Sequence, residues 1–322
     1  MLKVKWMLLS AVLAASLVQS EPVTLYVNAV KSDQALPILA DQDERERLRE
    51  QIKKEAPNHY LPPIDARVDR IWKAIPGLNG REVDIEATLD KTIKQKNKDT
   101  IQWVYKEIPP KITLDQLGAV PIYRGNDKKQ AAAIMVNVAW GTEYLPAMLE
   151  IFEKEKVKAT FFLDGSWLKK HPKEAKKIVA SGHEIGNHAY SHPLLSTVSS
   201  DRIEQEIGKT SQLINQTLNI KSQWFAPPAG DFDQRVVDIA FKNQMKTVLW
   251  TVDTVDWRKD STPARMVERI EKGIGPGSLI LMHPTDRTVT ALPQIVRLVK
   301  RKGIKLGTVG EVLSSKRMEK IE

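Results

Sequence analysis

The stretch Gly182-His183-Glu184-Ile185-Gly186-Asn187-His188-Ala189-Tyr190-Ser191-His192 leaves an apolar strand and enters a polar turn, and the rest of the chain is organised around it. Its two imidazoles, His188 and His192, stand four residues apart. A pair at this spacing reaches one divalent ion from a helical turn or a tight loop, and neutral imidazole is the commonest protein ligand for zinc and its relatives. The bland alternative is two surface histidines capping a helix. The flanking sequence separates the two readings.

Working outward, the chain from Ala131 onward alternates apolar strands with amphipathic helices, the pattern of parallel β/α units. Strands are expected at Ile134 to Ala139, Thr160 to Leu163, Glu184 to Asn187, Trp224-Phe225, Thr247 to Val252, Leu279 to Met282 and Lys305 to Val309. Helices are expected between them: Leu145 to Lys156, Pro172 to Ala180, Ser200 to Leu218 with Ser199 or Ser200 as N-cap, Val236 to Asn243, Ala264 to Gly273 and Pro293 to Lys302. About seven such units imply an α/β fold, a distorted (β/α) barrel, whose chemistry sits where the strands end.

The N-terminal third has another texture. Residues 1–20 read as an export signal, with Lys3 and Lys5 ahead of an apolar run from Trp6 to Val18 that is short for a spanning helix. An uncleaved membrane tether is the alternative. Residues 21–125 form a small α/β module: a charged helix over Asp41 to Lys54, a break at Leu61-Pro62-Pro63, a short helix over Ile64 to Ile75, a turn at Pro76-Gly77-Leu78-Asn79-Gly80, a strand and helix over Val83 to Lys94, and a strand at Trp103-Val104-Tyr105. No catalytic constellation is visible in it. Residues 126–322 make up the barrel domain.

Composition narrows the partners. The chain has 322 residues and no cysteine, which excludes disulfides and thiolate metal sites. Its net charge of +9 suits anionic surroundings. The basic residues are scattered and no nucleic-acid-binding pattern accompanies them, so wall polymers are the expected neighbours and the chain is expected outside the cytoplasm.

With these residues in view, the region from about 130 to 312 resembles the polysaccharide deacetylase (NodB homology) domain of carbohydrate esterase family 4, and within it the YlxY-like, sporulation-associated branch of endospore-forming bacteria. The likeness is carried by Ala159-Thr160-Phe161-Phe162-Leu163, by the histidine stretch, by Pro227-Pro228-Ala229-Gly230, by Trp250-Thr251-Val252-Asp253-Thr254-Val255-Asp256-Trp257 and by Leu281-Met282-His283. The resemblance implies metal-dependent removal of acetyl groups from amino sugars of peptidoglycan or chitin. His188 and His192 then match two metal ligands, His283 matches the acid that protonates the leaving amine, and Asp256 stands beside it. Tyr190, Pro228 and Trp257 match the sugar-lining positions.

The departures bear on the chemistry. Where the family reads Thr-Phe-Asp-Asp-Gly, this chain reads Asn137-Val138-Ala139-Trp140-Gly141, so Ala139 occupies the base position and Trp140 that of the third metal ligand. The family's arginine before its proline is replaced by Ala226. An arginine facing Ala139 would be a buried, unpaired charge, so the two losses belong together. Glu143 is the candidate substitute ligand, with Asp164 and Asp231 behind it; Trp140 is expected to fill the vacated metal volume, and His183 to fix the turn before its strand. The expected protein is an impaired deacetylase that holds wall glycan, with zinc as cofactor if active and none if not. The alternatives are an active de-N-acetylase with a rearranged site, and a structural protein of spore or envelope assembly.

Overall fold

A computed structural model describes residues 35–95 and 100–318, so the segment 1–20 lies outside the described residues. They form two compact units, one of residues 35–61, 81–95 and 100–106, the other of 62–80 and 107–318.

The larger unit is built on one curled parallel sheet. Strands β1 (Ala131–Val138), β2 (Thr160–Leu163), β3 (Glu184–Asn187), β4 (Trp224–Phe225), β5 (Lys246–Thr247), β6 (Val252–Asp253) and β7 (Leu279–Met282) pair in the order β6-β7-β1-β2-β3-β4-β5, and β8 (Lys305–Gly307) pairs with β1. Around it run helices α1 (Leu145–Lys154), α2 (Gly165–Lys170), α3 (Pro172–Ala180), α4 (Ser200–Leu218), α5 (Gln234–Lys242), α6 (Pro263–Gly273), α7 (Asp286–Arg301) and α8 (Val309–Leu313). This is the expected distorted (β/α) barrel.

β1 explains both the closure and the sequence pattern. All eight of its residues are buried. Ala132, Ile134, Val136 and Val138 pack outward with Met148 and Phe152 of α1 and Ile295 of α7, while Ala131, Ala133 and Met135 pack inward with Phe162, Val248 and Leu279. Burial on two faces is why the strand reads as an unbroken apolar run. β7 takes one edge over 133–136, so β8 along 131–133 and β2 along 135–138 share the other. The sheet therefore forks at its base and stays continuous at the strand ends, where the site lies.

Three expectations need correction. Ile64 to Ile75 is no helix: Arg67–Asp69 and Lys73–Ile75 form an antiparallel ladder, because Asp69 accepts from the backbones of Ile71 and Trp72 and Lys73 takes φ 57°. Thr247 to Val252 is not one strand but β5 and β6. Between them the backbone changes partner, Val248 donating to Phe225, Leu249 to Ile122 and Thr251 to Leu279. The last long helix begins at Asp286 rather than Pro293, since the Thr285 side chain accepts from the Thr288 backbone and caps it. The cap of α4 is Ser199.

In the smaller unit a helix over Ala35–Glu55 carries the expected charge run, and a second over Ile85–Ile93 is capped by Asp84. Its core gathers Ile52, Val83 and Leu89. Arg49 donates to both oxygens of Glu86 at 3.0 Å. No helix of the described residues is long and apolar enough to cross a membrane.

Candidate active site

The C-terminal ends of the strands bring most of the singled-out residues to one barrel mouth, and they divide into two halves. The first is complete. His283, one residue beyond β7, places its Nδ1 2.8 Å from Asp256 Oδ1, and its backbone N–H donates to Asp256 Oδ2 at 2.6 Å. Thr288 of α7 donates to the same oxygen at 2.6 Å. Asp256 is fully buried. Three donors on one carboxylate fix its plane, and that carboxylate in turn sets Nδ1 as the protonated nitrogen of His283. Its Nε2 is then the atom left to exchange a proton with a ligand.

The second half has the imidazoles and little else. His188 follows β3 and is buried at 1% exposure. Its Nδ1 lies 2.7 Å from the Ala226 carbonyl, which can only accept, so Nδ1 carries the proton and Nε2 keeps its lone pair. Burial lowers its pKa to about 3, which keeps the ring neutral. His192 is exposed, with its ring centroid 5.1 Å from that of His188 and edge to face. The turn between them is strained, with Ala189 and His192 at φ 59° and 58°. Glu206, buried in α4, holds it: one oxygen accepts from the backbones of Tyr190 and Ser191 and the other from the Ser191 hydroxyl, while Arg202 pairs with it at 2.6 Å.

No third ligand joins them. Among the described residues no group of three or more His, Asp or Glu is arranged to hold a metal ion. Glu143 is exposed on the short turn Thr142–Tyr144. Asp231 is engaged by Ser196, through its backbone and hydroxyl, both at 2.8 Å. Asp164 spends one oxygen capping α2, accepting from Trp167 N and Ser166 Oγ, while its buried Oδ2 has no partner. Burial raises its pKa and the nearby His192 opposes that. Two imidazoles without an engaged carboxylate do not make the family's donor set.

Trp140 does not plug the vacated volume as expected. Its indole is 45% exposed and stacks on His283, centroids 5.7 Å apart and planes within 7°. The cause is Gly141, whose φ of 75° and lack of Cβ let the backbone press against the Pro284 carbonyl, carrying the preceding side chain over the neighbouring ring. Trp140 and Trp257 line a cavity of about 400 Å³ together with Asn137, His192, Ala229, Trp250, Asp253, Leu281 and His283. Tyr190 is elsewhere, its ring covered by the Lys209 ammonium at 3.6 Å. Pro228 is buried, and its neighbour Ala229 reaches the cavity instead. His183 serves as a buried acceptor for Ala159 N at 3.1 Å, as expected of a turn-fixing residue.

Sequence reading missed Glu206, Thr288, Asn137 and Trp250. Glu206 carries a signal in retrospect: it is a carboxylate on the face of α4 that otherwise shows Ile203, Ile207 and Thr210.

Known proteins share the sequence pattern and the fold of this chain. Residues 124–248 match the family model for polysaccharide deacetylase. The Bacillus subtilis protein YlxY is 43% identical over 295 residues, 92% of this chain and 91% of the relative. A CE4 family pseudoenzyme from Bacillus anthracis superposes with TM-score 0.77 at 44% identity, covering 84% of this chain and 96% of its own, and a mutant of that pseudoenzyme is described as having restored enzymatic activity. A peptidoglycan-N-acetylglucosamine deacetylase of Bacillus cereus is 32% identical over 62% of this chain and 74% of its own length.

Proposed function

We propose, from the premise that this chain belongs to the polysaccharide deacetylase (CE4) family in its YlxY-like branch, that it is a degenerate member that holds cell-wall glycan without hydrolysing its acetamides. The observation that carries the reading is the split mouth. The acid half, His283 with Asp256 and Thr288, is assembled, whereas Ala139, Trp140 and Ala226 leave the other half without a base, a third ligand or an arginine. Hydrolysis needs a water made nucleophilic before an acid has a leaving amine to protonate, and loss of a base alone removes about 10²- to 10⁴-fold in rate. Exposed indoles remain for sugar faces, as aromatic rings present apolar area to the CH side of a pyranose.

Relatives whose names specify peptidoglycan deacetylation support wall glycan as the partner and a place outside the cytoplasm. His283 and Asp256 as proton-handling residues, His188 and His192 as a vestigial metal pair, Trp257 as a sugar-binding residue, export through residues 1–20 with a module over 21–125, and service in spore formation are parts of the same proposal. Sedimentation of the full chain with purified peptidoglycan tests it: wild type co-sediments and Trp257→Ala does so several-fold less, while equal recovery of both variants contradicts the role given to the mouth.

One observation favours a second reading, an active hydrolase with a rearranged metal site: Asp164 Oδ2 is buried and unpartnered near His192. That reading requires stoichiometric zinc uptake that Asp164→Asn abolishes; protein that takes up no ion from excess zinc excludes it.

A further inference from the structure

The wall of the 400 Å³ mouth cavity has a chemical character of its own. Three indoles line it, Trp140, Trp250 and Trp257, and two of them are about half exposed. Among the described residues no lysine or arginine lines it. Its imidazole on the acid side, His283, is already matched by the buried Asp256 carboxylate.

Besides His192 at its rim, the polar side chains that remain, Asn137 and Asp253, each offer a free acceptor oxygen. Asn137 continues the inward series of β1, and its Oδ1 is buried without a hydrogen-bond partner. Asp253 accepts from Val255 N at 2.7 Å through Oδ1, while Oδ2 receives only a long 3.4 Å contact from Trp257 Nε1. Burial raises the pKa of Asp253, with His283 acting in the opposite direction, and a cation bound against the loosely held Oδ2 would favour its charged form. Indole faces beside a carboxylate are the arrangement that attracts an ammonium, through the ring quadrupole and through charge. A dication held between His188 and His192 would oppose that ammonium at close range. The substitutions that leave Ala139 and Trp140 in place of two carboxylates remove the means of holding one and add an indole.

We propose that the mouth recognises the free-amine form of the wall sugar, a 2-ammonium pyranose, in preference to its N-acetylated form. The inference rests on the reading that this mouth holds wall glycan, and it makes the ligand the product of an amide hydrolysis performed elsewhere. Long-range charge does not produce the preference, because a chain of net charge +9 repels a polycation.

Calorimetric titration of the full chain with the tetramer of glucosamine and with the tetramer of N-acetylglucosamine, at about pH 6 where the sugar amine is protonated, tests the proposal. The expected result is about tenfold tighter binding of the glucosamine tetramer. Asp253→Asn removes that preference while the acetylated tetramer still binds, and Trp257→Ala weakens the free-amine tetramer more than the acetylated one. Equal or tighter binding of the acetylated tetramer overturns the inference and leaves glycan holding intact. A preference that survives Asp253→Asn also overturns it. Failure of both tetramers to bind overturns the glycan reading itself.

Discussion

The two sides of the barrel mouth have the same backbone scaffold and opposite contents. Around His283 every polar atom of Asp256 is met, by a ring nitrogen, a backbone N–H and a threonine hydroxyl. Across the cavity, His188 has the Ala226 carbonyl as its partner, His192 lies edge to face with the His188 ring, and the neighbouring Trp140 is turned onto His283 instead. The difference teaches which part of such a site is also structural. Asp256 and Glu206 are buried carboxylates that satisfy loop backbone, so their loss is felt by the fold, whereas Ala139 and Trp140 stand just past the end of β1, where carboxylates would not be needed to complete that strand.

The largest effect expected is a gain. Ala139→Asp with Trp140→Asp, and Ala226→Arg as a third change, supply both carboxylates and the base's partner. Acetate release from N-acetylglucosamine oligomers with zinc should then rise by about 10²- to 10⁴-fold over the unaltered chain. No gain from a folded variant places the defect in the acid half and breaks the comparison.

Glu206→Ala comes next. It strips a buried acceptor from two backbone N–H groups and the Ser191 hydroxyl, and should cost about 2–4 kcal/mol in denaturant unfolding. Little change would mean that the histidine turn holds its strained φ angles without it.

Acid should weaken the fold through His183. Burial lowers its pKa to about 4 from an ordinary 6.5. A base whose folded pKa is depressed contributes stability that is complete above about pH 6.5 and declines as pH falls toward 4, by at most about 3 kcal/mol. His188, lowered to about 3, acts in the same direction. Thermal melts between pH 7 and 4.5 check this, and His183→Asn, which keeps an acceptor for Ala159 N, should flatten the slope.

The smallest effect is expected at Glu143. Exposed on its turn and outside the imidazole pair, Glu143→Gln should shift stability by less than about 0.5 kcal/mol and leave metal content unchanged. Loss of bound metal would show that it reaches the site after all.

Much of this was legible from sequence. β/α alternation, the strand ends and the pairing of His283 with Asp256 follow from pattern and from the family resemblance, because strand termini place their residues by topology. What stayed hidden depends on contacts distant in sequence. Glu206 acts fifteen residues after Ser191, and Trp140 turns onto His283 because Gly141 meets Pro284, which periodicity does not encode. The ladder at Arg67–Asp69 and Lys73–Ile75 is not legible in the sequence because apolar spacing in a short segment fits either period, and a side-chain turn at Asp69 decides it.

Acetate release by the unaltered full chain, in excess zinc and with N-acetylglucosamine oligomers or peptidoglycan as substrate, bears most directly on the proposal that this mouth holds glycan without activating water. No release above the protein-free background is predicted; turnover abolished by His188→Ala would contradict it.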